Sequence, residues 1–148
     1  MTKKNYLKAG LAFNAEVLVL AVFADKMISS EKEVEDGKKL MKYCKDIFKK
    51  GQAHINSMFK ADNKTSYSEL QFNDHFEYYK PRVRVSKDHE ENLSMMKEIH
   101  LKLKGNAREM QPSRISFDSG MRWEPTTHDT KRHNSILKTI DGIEKMLS

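Results

Sequence analysis

The stretch GLAFNAEVLVLAVFADKM, Gly10 to Met27, is the most apolar part of this chain, and a carboxylate, Glu16, sits near its middle. A membrane span needs about 20 largely apolar residues. Here Asn14 and Glu16 interrupt the run before Asp25 and Lys26 close it. A secretory signal fits no better. Lys3, Lys4 and Lys8 precede the stretch and VFA offers the small residues of a cleavage site, but Glu16 leaves just VLVLAVFA uninterrupted. The remaining solution is a buried helix. At about 100° per residue, Leu7, Leu11, Leu18 and Val22 gather on one side and Phe13, Val17, Leu20, Ala24 and Met27 on another, so partner helices are expected around most of its circumference. The helical neighbours of Glu16 are apolar. Its carboxylate therefore either faces a gap or a lysine or arginine from elsewhere, or is desolvated with a raised pKa or a metal to bind.

The rest of the chain reads mostly as helix. Ser30 with Glu33 forms a capping box, opening an amphipathic helix that carries Val34, Leu40, Met41, Cys44, Ile47, Phe48, Ile55, Met58 and Phe59 at three- and four-residue steps. ELQFNDHFEYY, residues 69 to 79, places Phe72, Phe76 and Tyr79 together and is stopped by Pro81. RVRVS, residues 82–86, alternates charge with valine and predicts a short strand. Asp88 with Glu91 predicts a second cap, followed by Leu93, Met96, Ile99 and Leu103 up to a stop at Gly105. RISFDSGMRW, residues 114–123, alternates on both sides of Ser119-Gly120 and predicts a hairpin. After Pro125, the positions of Ile136, Leu137, Ile140, Ile143, Met146 and Leu147 define a last amphipathic helix. The expectation is a mainly α single domain over 1–148: a helical bundle around a buried N-terminal helix, with a small two- or three-stranded element from 82–86 and 114–123.

A chain of 148 residues can bury a core without disulfides or metal. The single cysteine, Cys44, excludes an intrachain disulfide and a multi-cysteine zinc site, which fits a reducing, cytoplasmic setting. The net charge of +6 is divided evenly about Asp74, so neither half is a basic tail. The kind of cation changes instead. All six arginines fall between Arg82 and Arg132, and the first 81 residues use lysine. Arginine's planar fork suits bidentate contact with carboxylate or phosphate, whereas lysine commonly solvates a helix surface.

Glycine at 10, 37, 51, 105, 120 and 142 allows no phosphate-binding loop, dinucleotide fingerprint or nucleophile elbow. No histidine has a glutamate three residues before it, so the Glu-x-x-His pair of di-iron bundles is missing. His128 and His133 stand about 140° apart on a helix and would not converge on a metal. Asp88-His89-Glu90 has acid–base chemistry, but acidic residues are favoured at a helix start in any case. No catalytic residue, metal ligand or cofactor is assigned. Small helical HEPN-type ribonucleases carry an arginine and a histidine with four to six residues between them. Arg84 with His89, Arg82 with His89 and Arg122 with His128 satisfy that spacing, which is too permissive to single out an enzyme.

The segment AEVLVLAVFADKMISSEKE, Ala15 to Glu33, resembles the part of TerB-like helical domains in which an apolar helix ends in Ala-Asp and is followed by Ile-Ser and a glutamate. The matching residues are Ala24-Asp25, Ile28-Ser29 and Glu31 or Glu33. The likeness covers 19 of 148 residues, departs at Lys26 where that family usually has glycine, and lacks a second acidic segment near the end. The resemblance implies a helical bundle with an acidic site open to metal and a stress-response role. An apolar helix followed by a capped one would look the same.

A surface of arginines and aromatics remains: Tyr79, Arg82, Arg84 and Lys87, with Arg114, Arg122 and Trp123. These residue types dominate interface hot spots and also suit base stacking and phosphate contact; a solubilising edge strand would carry the same charges. The function expected is that of a non-enzymatic intracellular binding protein, an adaptor, inhibitor or assembly component. An acidic protein face is favoured as its partner, because +6 spread over both halves is modest for a dedicated nucleic-acid binder. Nucleic acid and self-association stay open, no membrane span is expected, and the alternatives are a small ribonuclease-like hydrolase or a TerB-like metal-binding domain.

Overall fold

A computed structural model describes residues 3–59, 69–112 and 127–148. Five helices account for most of them: α1 Lys3–Ser29, α2 Val34–Phe59, α3 Glu69–Tyr79, α4 His89–Glu109 and α5 Thr127–Leu147. There is no strand among the described residues, and no described helix is long and apolar enough to cross a membrane.

Helix α1 packs on α2, α4 and α3, while α5 packs on α2 and α4. The second of its two predicted faces is wholly inside: Phe13, Val17, Leu20 and Ala24 have no exposure, and Met27 has 9%. Leu18 and Val22 of the first face are also buried, but Leu11 stands 70% exposed. The helices approach closely where α2 begins. A Cβ added at Gly37 would come within 2.9 Å of the Ala24 carbonyl and 2.8 Å of the Ile28 amide nitrogen of α1, so glycine there lets the two backbones touch.

The capping box works one turn early. Ser30 Oγ accepts from the Glu33 amide at 3.3 Å as expected, but the bond that opens the helix runs from the Gly37 amide to the Glu33 carbonyl, which makes Glu33 the geometric N-cap. The intervening turn holds Glu31 at φ 66°. Asp88 caps α4 as expected, accepting from the Glu90 amide at 3.0 Å. Its predicted companion Glu91 bonds instead with the Ser86 hydroxyl, which donates to it at 2.9 Å.

Two expectations are corrected. Helix α4 runs past Gly105 to Glu109. A glycine mid-helix costs about 1 kcal/mol, and burial of Leu103, Ala107 and Met110 on either side outweighs it. RVRVS is not a strand but a turn followed by irregular chain. Its backbone donors are already taken: the Arg82 and Val83 amides both donate to the Tyr79 carbonyl that ends α3, and the Ser86 amide donates to Asn92 Oδ1 at 2.8 Å. Arg82 and Arg84 therefore share no strand face. The valine alternation did carry an inside–outside signal, since Val83 and Val85 pack on the core while both arginines stay exposed. The predicted hairpin at 114–123, with Arg114, Arg122 and Trp123, lies outside the described residues.

Candidate functional site

The described part of the predicted arginine–aromatic surface is the connection between α3 and α4. Helix α3 buries Phe72 and half-buries Phe76 and Tyr79, which turns the next residue of the helix face, Tyr78, outward at 56% exposure. Arg82 folds back over that ring, its guanidinium carbon 3.7 Å from the centroid, while its Nη1 donates to the Tyr78 carbonyl at 2.5 Å. A guanidinium this close to an exposed ring gains cation–π attraction and loses rotamer freedom before any partner arrives. Lys80 extends the patch between Asp25, 3.7 Å away, and the face of Phe76. Arg84 and Lys87 are exposed farther along the same connection. The structure thus places Tyr79, Arg82, Arg84 and Lys87 on one connecting segment, with Tyr79 serving as a wedge beneath the patch rather than as a contact.

Where this connection meets α4, a small cavity of about 90 Å³ opens between Lys26, Met27, Glu33, Ser86, Lys87 and His89. His89 Nδ1 lies 2.5 Å from a Glu33 carboxylate oxygen. A carboxylate at that nitrogen orients the imidazole as it does in general bases. The flanking groups of the sequence triad do otherwise: Asp88 is occupied as the helix cap, and Arg84 makes no hydrogen bond or ion pair among the described residues.

The carboxylate that opened the sequence question has a neutral partner. Asn106 Nδ2 of α4 donates to both oxygens of Glu16 at 2.9 Å. Partial burial still pushes its pKa up, with the Asn106 bond and the Lys102 charge opposing the shift. Among the described residues no lysine or arginine touches it, and no group of three or more His, Cys, Asp or Glu side chains is placed to hold a metal ion. The acidic residues of the TerB-like segment are dispersed in the same way, Asp25 toward Lys80 and Glu33 toward His89. Cys44 is fully buried and its thiol pKa is pushed up by that burial.

A polar cluster that sequence reasoning missed lies where α2 and α4 end and α5 begins. His54, Asp129 and His133 are nearly inaccessible. Asp129 accepts from Ser57 Oγ at 2.8 Å and from Arg132 Nη1 at 3.1 Å, and both partners of that ion pair are largely buried. His54 Nε2 donates to the Met110 carbonyl at 3.0 Å, and His133 Nε2 to the Ala107 carbonyl at 2.8 Å. Because a carbonyl can accept and never donate, each ring must carry its proton on Nε2. That leaves His54 Nδ1 bare toward Arg132 Nη1, 3.4 Å away. Burial, helped by the neighbouring His133 and Arg132, pushes the His54 pKa down to about 4, against the opposing Met110 bond and Asp129 charge; burial also lowers that of His133. The signal was present in the spacing. His54 continues the buried series Leu40, Cys44, Ile47, Gly51 on α2, and Asp129 and His133 precede Ile136, Ile140 and Ile143 on α5. Polar residues in apolar registers call for partners.

Compared with known protein families, curated proteins and solved structures, the chain matches none.

Proposed function

We propose that the chain is a non-enzymatic binding protein acting inside the cell, a single α-rich domain built around α1. Its role would be that of an adaptor, inhibitor or assembly component that grips an acidic protein face with the α3–α4 connection. Arg82 and Arg84 supply the charge, Tyr78 the exposed ring, Tyr79 the support and Lys87 the flank; Arg114, Arg122 and Trp123, outside the described residues, carry the same chemistry. The observation that carries this reading is the Arg82–Tyr78 stack, 3.7 Å apart on an exposed turn. A pre-ordered cation beside an aromatic ring lowers the entropy lost on docking, and these residue types concentrate binding energy at interfaces.

Capture from the native host, with wild type and Arg82→Ala/Arg84→Ala as paired baits, tests it. The expected result is an acidic protein retained by wild type, released by salt and absent from the variant. Identical capture by both baits removes this surface from the reading.

The Glu33–His89 pair beside its cavity favours one second reading, a small helical hydrolase with His89 as the base. RNA cleavage that disappears in His89→Ala would put it first. The TerB-like reading rests on 19 residues of sequence, and a calcium- or zinc-dependent rise in melting temperature would support it.

A further inference from the structure

A second charged surface lies along α2 and α5 and belongs to none of the readings above. The two helices run antiparallel. Lys50 Nζ donates to Ser135 Oγ at 2.7 Å, Thr139 Oγ1 donates to Asp46 at 3.3 Å, and the Tyr43 phenol lies against Gly142. Their seam opens as a groove of about 910 Å³ lined by Tyr43, Lys50, Ser135, Lys138, Thr139 and Lys145, with Asp141 and Glu144 also on its wall.

The acids of this seam are compensated by lysines of α2 and α4. Asp46 is held by Lys50 at 2.8 Å. Asp141 and Glu144 face Lys104 of α4, at 3.9 and 3.5 Å. Lys39, Lys42 and Lys49 of α2 and Lys131, Lys138 and Lys145 of α5 are all exposed, and none has an ion pair among the described residues. On α5 the three lysines recur every seventh residue. They therefore stand on one side of the helix, opposite buried Ile136, Ile140 and Ile143, in a straight row about 21 Å long at 1.5 Å per residue. Helix α2 carries six lysines against three acids round its whole circumference; of these Lys38 pairs with Glu35, Lys45 lies over Phe72 and Lys50 holds Asp46.

From this arrangement we infer that the α2–α5 face binds the phosphate backbone of a nucleic-acid duplex without reading its sequence. A row of cations on a straight rod matches a straight, regularly charged polyanion. The groove adds neutral hydroxyl donors on Tyr43 and Ser135, which suit phosphate oxygens, while the Thr139 hydroxyl is already committed within the seam. Lysine provides point charges rather than the bidentate fork that reads guanine. The stacking aromatics that single-strand binders use are missing from the lining, where Tyr43 is the one ring and is packed on Gly142.

Anisotropy of a fluorescein-labelled 20-base-pair duplex, titrated from 50 to 200 mM salt, tests the inference. Wild type should bind with a steep salt dependence. Lys131→Gln/Lys138→Gln/Lys145→Gln should weaken binding at least about tenfold at low salt and make the log–log slope shallower by about 2.7, close to 0.9 per lost phosphate contact. Lys8→Gln/Lys97→Gln/Lys102→Gln, with the same loss of net charge, should keep the wild-type slope. Arg82→Ala/Arg84→Ala should bind the duplex as wild type does, which separates this face from the protein-binding one. Single lysine variants, each shallower by about 0.9, serve if the triple variant melts early. The inference is overturned by no binding at 50 mM salt, by equal losses in both triple variants, or by binding to phosphatidylserine vesicles but not to the duplex.

Discussion

His54 shows how a single buried side chain ties stability to pH. Its folded-state pKa, near 4, lies below the ordinary histidine value of 6.5, so the fold prefers the neutral ring. The stabilisation is complete above pH 6.5. As pH falls below that value the unfolded chain takes up its proton first, and folding loses up to about 1.4 kcal/mol per pH unit until about pH 4. His133 adds to the loss in the same direction. Urea unfolding at pH 7, 6 and 5 should therefore show a falling midpoint, and His54→Gln should flatten that fall while lowering stability at pH 7. A profile unchanged by His54→Gln would mean that the ring is not the titrating group. The adjoining ion pair makes a second prediction. Arg132→Ala removes the cation from Asp129, whose side chain is 6% exposed and keeps the Ser57 hydrogen bond, and should cost up to about 3–5 kcal/mol, the usual penalty for halving a buried pair. A loss under 1 kcal/mol would show that water reaches Asp129. Arg132 is internal, unlike exposed Arg82 and Arg84, because α5 turns its first two turns toward the ends of α2 and α4.

At the scale of elements, glycine positions separate what spacing shows from what packing decides. Gly105 was read as a helix stop and is an exposed mid-helix residue with nothing within 4 Å of an added Cβ. Gly105→Ala should stabilise the protein by about 0.5–1 kcal/mol through helix propensity alone. Gly37 is the opposite case, since a methyl there meets α1 backbone atoms below 3 Å. Gly37→Ala should destabilise by about 1–3 kcal/mol, because a backbone cannot move aside as a side-chain tip can. Thermal melts of the two variants shifting in the same direction would contradict this account. Helix α3 spans the residues its sequence suggested, for Pro81 and the Phe72–Phe76–Tyr79 series are local signals. The RVRVS strand failed because groups three to six residues away took its amides. A strand needs a neighbour to pair with, and here the end of α3 and the Asn92 side chain had claimed the amides.

For the whole molecule, the two charged faces have different origins. The α3–α4 connection is singled out by residue type, and its exposed arginines support no core. Arg82→Ala/Arg84→Ala should thus leave the unfolding free energy within about 0.5 kcal/mol of wild type while removing the partner, and a larger drop would make any lost capture a folding effect. The lysine face on α2 and α5 was passed over as ordinary solvation, because a charge row looks the same in sequence whether its acids are engaged on the same helix or by a third one. Local chemistry determined the helical class, the positions of α3 and of the α4 cap, and the inward valines of the α3–α4 connection. It did so because period, caps and proline act within a few residues. That Glu16 meets an amide, that His54 and Asp129 share a buried network, and that Lys104 of α4 pairs with the α5 acids on the groove wall were decided by tertiary packing. Each of those depends on groups that only folding brings within hydrogen-bonding distance.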